Sequence, residues 1–249
     1  MKNRMKKSLC IFSILLFLLS VPVNAIHGNV NDNFSKQKGA KGISVSEDVQ
    51  KDALQKVFKL RNGDLIFQNV NCGPMCDAIN EVTKGYHGAK FSHVGIISIN
   101  KGTINVIEAI SKGVSVTPLA KFLSRSVDDN GKPCIAIARL NNSYQSLIPK
   151  AIDEAQKYIG KPYDDYFDIT NNAYYCSELI YLIFLKANNN IPVFSLAPMT
   201  YKSPTTGEIF PVWEDYFKGL NIPVPQGKPG INPGGISCSE SLIMFFPFK

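Results

Sequence analysis

The chain is organised around the stretch Ala173-Tyr174-Tyr175-Cys176-Ser177-Glu178-Leu179-Ile180. A helical pattern begins at this cysteine, because apolar residues follow Cys176 at the third, fourth, seventh and eighth positions. The run Asn188-Asn189-Asn190 ends the pattern. A thiol on the first turn of a helix lies near unpaired N–H groups and the positive end of the helix dipole, which favour the thiolate. The stretch therefore predicts a nucleophilic Cys176, with a buried structural cysteine as the alternative.

The first 25 residues have the pattern of a secretory signal peptide. Four basic residues precede the apolar run of residues 9–19, and Val23-Asn24-Ala25 supplies small residues for cleavage. We therefore expect an exported protein, located in the periplasm, in the cell envelope or outside the cell. An uncleaved anchor is the alternative. Residues 26–55 are polar and predict a flexible leader, and residues 56–249 form the predicted catalytic domain.

The charge of the chain does not indicate a nucleic-acid partner. The whole sequence has 27 Lys and Arg against 20 Asp and Glu. Four of the basic residues lie in the first 25, so the remainder carries 23 against 20, a net charge of +3. The basic balance is thus mostly a property of the targeting segment.

Five cysteines remain after the predicted cleavage, and an odd count predicts one free thiol and up to two disulfides. Cys176 is the predicted free thiol. The other four cysteines are Cys72, Cys76, Cys134 and Cys238. Four cysteines can pair in three ways, and the sequence does not choose among them. We expect no metal site and no cofactor, because no second pair of Cys or His residues has ligand spacing.

The sequence predicts a mixture of strands and helices. We expect strands over 63–70, 91–99, 103–110, 113–116 and 134–140, and helices over 74–82, 117–123, 149–159 and from Cys176. The tail from Ile191 is rich in Pro and Gly, which predicts long ordered loops wrapped on the domain.

A predicted hairpin supplies a base for the thiol. If its turn is centred on Lys101-Gly102, the numbers of paired residues sum to 203, so Gly95 faces Glu108 and His93 faces Ile110. These four side chains then project from one face of the sheet, and the Glu108 carboxylate can orient the imidazole of His93. A one-residue slip would place Glu108 on the other face.

Several residues remain open as further site candidates. Asp64 is an alternative orienting residue for His93. Tyr175, Tyr163 or Tyr166 can serve as a second oxyanion donor beside the Cys176 N–H, although buried or rim aromatic positions are their alternative.

Four segments recur in a fixed order and spacing that matches a known family: Gly63-Asp64-Leu65-Ile66, Ser92-His93-Val94-Gly95-Ile96, Ile107-Glu108-Ala109 and Tyr175-Cys176-Ser177-Glu178-Leu179. Together they resemble the YiiX/YebB-like group of circularly permuted papain-like enzymes in the NlpC-type superfamily. The resemblance covers residues 62–184, and the order His93, Glu108, Cys176 matches the permuted order. The four further cysteines and the Pro-rich tail are not part of the pattern.

The resemblance implies an α+β fold in which an antiparallel sheet packs on the nucleophile helix. It also implies an amidase or peptidase that uses a Cys-His-Glu triad and a thioester, acting on a small peptide or cell-wall amide. The group is similar to lecithin:retinol acyltransferase-like enzymes, so a lipid acyl hydrolase or acyltransferase is the alternative, with possible contact to a membrane surface. The apolar segment 242–248 and the aromatic loop 163–167 favour that alternative, although the segment is equally typical of a terminal core strand. A non-catalytic exported binding module is the third hypothesis.

Overall fold

The structure is a computed structural model that describes residues 59–70, 72–127 and 134–245. The predicted signal peptide and leader lie outside these residues. Within the described part of the chain, no helix is both long and apolar enough to cross a membrane.

A six-stranded antiparallel sheet forms the centre of the fold, flanked by helices in a mixed α/β arrangement. Its strands are β1 (Leu65–Gln68), β2 (His93–Asn100), β3 (Thr103–Ile110), β4 (Gly113–Pro118), β5 (Ile135–Leu140) and β8 (Leu242–Phe245). Their order across the sheet is β4-β3-β2-β1-β5-β8. The helices are α1 (Pro74–Val82), α2 (Leu119–Leu123), α3 (Ile148–Tyr158), α4 (Cys176–Ala187), α5 (Pro211–Gly219) and α6 (Pro233–Ser237). A small ribbon joins β6 (Ala197–Pro198) to β7 (Pro229–Gly230).

The predicted register of the β2–β3 hairpin is confirmed. Asn100 pairs with Thr103 and Ile96 pairs with Ile107, as the sum of 203 requires. The turn residues Lys101 and Gly102 both have positive φ values, 47° and 79°, which suit the tight turn of a two-residue hairpin. Gly95 is needed in β2, because a Cβ there would meet the side chain of Val106 and the carbonyl of the next residue.

The two faces of the sheet bury different helices. One face belongs to a cluster with α3 and α4, in which Phe67 and Ile96 of the sheet join Leu179 and Ile183 of α4. The opposite face packs on α2. Its cluster includes Ile66, Ile97, Val106, Phe122 and Leu123. Since side chains alternate along a strand, His93 and Glu108 lie on the α2 face together with Ile97 and Val106.

Most predicted boundaries agree with the structure to within two residues, and the clearest differences are at the end of β4 and in the tail. Strand β4 continues to Pro118, because Thr117 is buried and pairs with Val106, so α2 begins only at Leu119. The prediction of long loops after Ile191 was wrong in part, because this tail contains α5 and α6. Pro211 and Pro233 stand at the starts of these helices, where a missing N–H costs nothing.

Helix α5 packs on α1 and not on the sheet. Trp213 and Phe217 of α5 form a separate apolar cluster with Tyr201 and with Ala78 of α1. This second cluster lies beside the main core and provides one wall of the cleft described below.

The structure places one disulfide between Cys72 and Cys76, at the start of α1. Cys176 lies outside any disulfide, as expected. The expectation of a single free thiol was wrong, because the exposed Cys238 is also unbridged, and its Sγ lies 3.6 Å from the carbonyl oxygen of Lys84.

Candidate active site

Cys176 is the first residue of α4 and is almost fully buried. The helix starts here because Tyr175 is extended, with φ −88° and ψ 169°, and because Glu178 caps it. The backbone N–H of Tyr175 donates to Glu178 Oε2 at 3.1 Å. The Cys176 N–H stands on the first turn, where helix N–H groups have no partner within the helix. The backbone N–H of Val94 at the start of β2 contributes to a lowered pKa of the Cys176 thiol.

The hairpin brings His93 and Glu108 together as predicted. His93 Nε2 lies 2.6 Å from Glu108 Oε2, and the carboxylate has no exposed surface. The imidazole also lies beside the Cys176 thiol, and each of these two groups shifts the pKa of the other. Because Nε2 is held by the carboxylate, Nδ1 is the ring nitrogen left for the thiol. The three residues therefore form one connected group at the beginning of β2.

The electrostatics of this group favour a thiolate and an imidazolium. Burial alone would lower the pKa of His93, but the hydrogen bonds and charges of Cys176 and Glu108 outweigh it and raise the pKa to about 9. Burial alone would raise the pKa of Cys176, whereas the hydrogen bond and positive charge of His93 lower it. Burial also opposes ionisation of Glu108, but His93 and then Arg125 bring its pKa down to about 2.

Arg125 is a member of the site that the sequence analysis missed. Its Nη2 donates to Glu108 Oε2 at 2.6 Å, the same oxygen that holds His93. Arg125 follows α2 and is separated from Glu108 by one strand and one helix, so no local spacing links the two residues. The sequence shows only that an arginine lies two residues after the end of the predicted short helix 117–123.

Asp64 does not orient His93, so that alternative was wrong. Its carboxylate accepts two hydrogen bonds from Arg139, at 2.7 Å from Nε and 2.8 Å from Nη2. The Arg61 N–H adds a third hydrogen bond at 2.8 Å. Asp64 is thus a buried structural anion with its own cation.

The predicted tyrosines separate into two groups. Tyr175 and Tyr163 line the same cleft as Cys176. The Tyr175 hydroxyl accepts from the backbone N–H of Ile231 at 3.2 Å, so its own proton remains available to an acceptor in the cleft. Tyr166 is 46% exposed and is absent from the cleft lining, which makes it unsuitable as an oxyanion donor.

Glu178 is a second buried carboxyl beside the thiol. Burial raises the pKa of Glu178 to about 8, although the hydrogen bond from the Tyr175 N–H opposes this rise. Its Oε1 is buried and has no hydrogen-bond partner among the described residues. A protonated carboxyl at this position caps the helix without adding negative charge near the thiol.

The thiol opens into a cleft of about 580 Å³. Most of its lining side chains are apolar or aromatic, including Met75, Ile79, Val82, Ile110, Phe167 and Trp213. The segment around Ile231 closes one side, since its N–H contacts Tyr175 and its carbonyl oxygen accepts from Ser177 Oγ at 2.9 Å. The described residues of the predicted apolar segment, 242–245, form β8 at the sheet edge and do not line the cleft, which corrects that part of the acyl-groove hypothesis.

The fold and the chain order of these residues define a papain-like protein of permuted type. The family described as "Permuted papain-like amidase enzyme, YaeF/YiiX, C92 family" matches residues 59–244. This chain belongs to that family. Papain-like amidase chemistry is therefore the class of activity that the family indicates.

Two comparisons with individual proteins agree with this family. The chain is 28% identical over 127 residues to the uncharacterized protein YiiX of Escherichia coli K12, a match that spans 51% of this chain and 58% of that protein. A crystal structure titled as the metalloprotein yiiX from Escherichia coli O157:H7 superposes with a TM-score of 0.60 at 21% identity, covering 75% of this chain and 96% of the other. At that identity the likeness concerns the fold. In the described ranges of this chain, no group of three or more His, Cys, Asp or Glu side chains is arranged to hold a metal ion.

Proposed function

We propose that the protein is a cysteine-dependent amide hydrolase in which Cys176, His93 and Glu108 form the catalytic triad. The observation that carries the proposal is the grouping of thiol, imidazole and buried carboxylate at one cleft, with His93 Nε2 2.6 Å from Glu108 Oε2 and the imidazole beside the thiol. Family membership supports amidase chemistry. The NlpC-type relationship, and the acceptance of peptide or cell-wall amides as substrates, stay predictions of the sequence analysis.

The first half-reaction forms a thioester. The Cys176 thiolate attacks the amide carbonyl, and the oxyanion that forms accepts a hydrogen bond from the Cys176 N–H and a second from Tyr175 or Tyr163. His93 then gives its proton to the leaving amine as the carbon–nitrogen bond breaks. Glu108 stabilises the imidazolium and holds the ring so that Nδ1 faces the sulfur.

The second half-reaction regenerates the thiol. Neutral His93 removes a proton from water, the hydroxide attacks the thioester carbonyl, and the sulfur leaves as a thiolate. The proton stays on His93, which restores the ion pair with Cys176. The carboxylic acid product then leaves the cleft.

The mechanism is tested with the Cys176→Ala variant on a panel of fluorogenic peptide amides. We expect turnover to be abolished and the thermal midpoint to stay close to the parent value, since one buried sulfur is lost without disturbing the fold. Cys238→Ala is the matched control, because Cys238 is exposed and lies outside the cleft lining. Turnover retained in Cys176→Ala would exclude this mechanism.

The second candidate function is acyl transfer or hydrolysis on a lipid, and the largely apolar lining of the cleft favours it. The same triad would attack an ester carbonyl while the acyl chain lies along Phe167 and Trp213. Parallel assays with peptide amides and acyl-lipid analogues separate the two functions. A protein that neither binds nor turns over any lipid analogue would exclude this candidate.

A non-catalytic binding module is the third candidate, and the chemistry of the thiol distinguishes it. Such a protein would contain a Cys176 that reacts with iodoacetamide only at alkaline pH. Export, the absence of a nucleic-acid partner and contact with a membrane surface remain predictions from the sequence.

A further inference from the structure

Arg125 and His93 share one carboxylate oxygen. Arg125 Nη2 and His93 Nε2 each lie 2.6 Å from Glu108 Oε2, which puts the two nitrogens within about 5 Å of each other. Two positive charges at this distance repel each other in a buried site. The protonation of His93 therefore depends on Arg125 as well as on Glu108.

The position of Arg125 is fixed by its contacts with Phe122 of α2, which β1 holds in turn. Its backbone N–H donates to the Phe122 carbonyl at 3.4 Å, and its guanidinium lies 4.8 Å above the Phe122 ring. The same ring is 5.8 Å from the imidazole of His93. Gln68 Nε2 holds the Phe122 carbonyl at 2.6 Å. The Phe122 ring thus contacts both cationic groups, and Gln68 of β1 holds the Phe122 backbone in place.

Glu108 needs a cationic partner whose charge does not change during the catalytic cycle. Its carboxylate is fully buried, and its Oε1 has no hydrogen-bond partner among the described residues. In the proposed mechanism His93 becomes neutral when it protonates the leaving group. A buried carboxylate whose only partner is a neutral imidazole is costly, whereas a guanidinium keeps its charge at every pH of interest.

We propose that Arg125 is a positioning residue that keeps Glu108 ionised and in place while His93 is neutral, and whose own positive charge weakens the hold of His93 on its proton. The inference deepens the proposed function, since it assumes that His93 gives up and regains a proton in each cycle. It explains why a base with such a strong partner as Glu108 can still act as an acid.

Other charged or titratable groups face the network from neighbouring elements. On the side of the thiol these groups are Tyr163, Tyr175 and Glu178. On the side of the carboxylate, the groups that shift the pKa of Glu108 are the network's own His93 and Arg125. The test must therefore change Arg125 alone and leave the groups beside the thiol intact.

The direct test is an NMR titration of the His93 imidazole in the Cys176→Ala protein, where no thiolate competes. Arg125→Met in this background removes the positive charge while it keeps much of the side-chain bulk. We expect the pKa of His93 to rise by about one to two pH units, because the substitution removes the positive charge beside the imidazole. Arg125→Lys restores the charge and should return the pKa toward the parent value.

Two further measurements keep the result unambiguous. Arg125→Gln removes the charge but can still donate to Glu108, so it should reproduce the upward shift if the methionine variant does not fold. A role in stability alone would lower the thermal midpoint and leave the pKa of His93 unchanged, and an unchanged or lowered pKa in the folded glutamine variant overturns the proposal. The titration needs no substrate. Failure of the parent protein to hydrolyse amides would therefore count against the proposed function and not against this role of Arg125.

Discussion

The charge of Glu108 should control the reactivity of Cys176, and Glu108→Gln isolates that charge. Glutamine has nearly the same shape, and its carbonyl oxygen can still accept from His93 and Arg125 in place of Oε2. What the substitution removes is one negative charge beside the imidazole. The variant therefore separates electrostatics from positioning.

The size of the effect follows from the geometry. A unit charge about 4 Å from an imidazolium is worth about 4 kcal/mol at an effective dielectric constant of about 20, or roughly three pKa units as an upper bound. Measured shifts from close charge partners are about one to three units. The pKa of His93, which the network raises to about 9, should thus fall by that amount. A fall of one to three units lowers the equilibrium constant for forming the thiolate–imidazolium pair from the neutral thiol and imidazole about ten- to a thousand-fold, so the alkylation rate at pH 6 should fall.

The assay is the rate of iodoacetamide modification of Cys176 between pH 5 and pH 10, read by intact-mass spectrometry. Parent protein should react quickly at pH 6, and Glu108→Gln should require more alkaline pH. The double variant Glu108→Gln with Arg125→Met is the control, since it also removes the cation that the single variant leaves without a counter-charge. An alkylation profile in Glu108→Gln that coincides with the parent profile would refute the reasoning, because the carboxylate would then have no part in setting the ion pair.

Two further predictions concern stability. Glu178→Gln should change how stability depends on pH. Because burial raises the pKa of Glu178 to about 8, the folded parent holds a proton that the unfolded chain releases above its ordinary pKa of 4.5, so parent stability falls as pH rises through this window, by at most about 1.4 kcal/mol per unit. Urea unfolding at pH 5, 6.5 and 8 should show that fall in the parent and not in the variant, and an equal difference at all three pH values would contradict it. Asp64→Asn should cost about 3–5 kcal/mol by leaving Arg139 without its buried partner, yet the pH profile of Cys176 alkylation should not change. A shifted alkylation profile in that variant would show that Asp64 influences the thiol and would contradict this assignment.

The parts of the site that could be predicted are those that local rules determine. The turn at Lys101-Gly102 sets the hairpin register, and the register alone puts Glu108 beside His93. The spacing of apolar residues after Cys176 likewise predicts the start of α4. In both cases the responsible interactions span a few residues or one strand pair.

The parts that could not be predicted depend on contacts between distant segments. Asp64 pairs with Arg139, 75 positions away, and nothing in either local pattern indicates that pairing. Arg125 reaches Glu108 only because α2 folds back over one face of the sheet. The prolines of the tail were ambiguous for a related reason, since proline is equally common in loops and at the first position of a helix.

The contacts of Ile231 have a consequence for the order in which the protein becomes functional during synthesis. His93, Glu108 and Cys176 have all been made once α4 is complete, but the cleft wall that contacts Tyr175 and Ser177 is more than 50 residues further along the chain. A nascent chain that has reached Ala187 thus contains all three proposed catalytic residues but only part of the cleft that surrounds them. We expect the reactive thiol to remain without a formed substrate cleft until the last part of the chain has been made and has folded onto the helix.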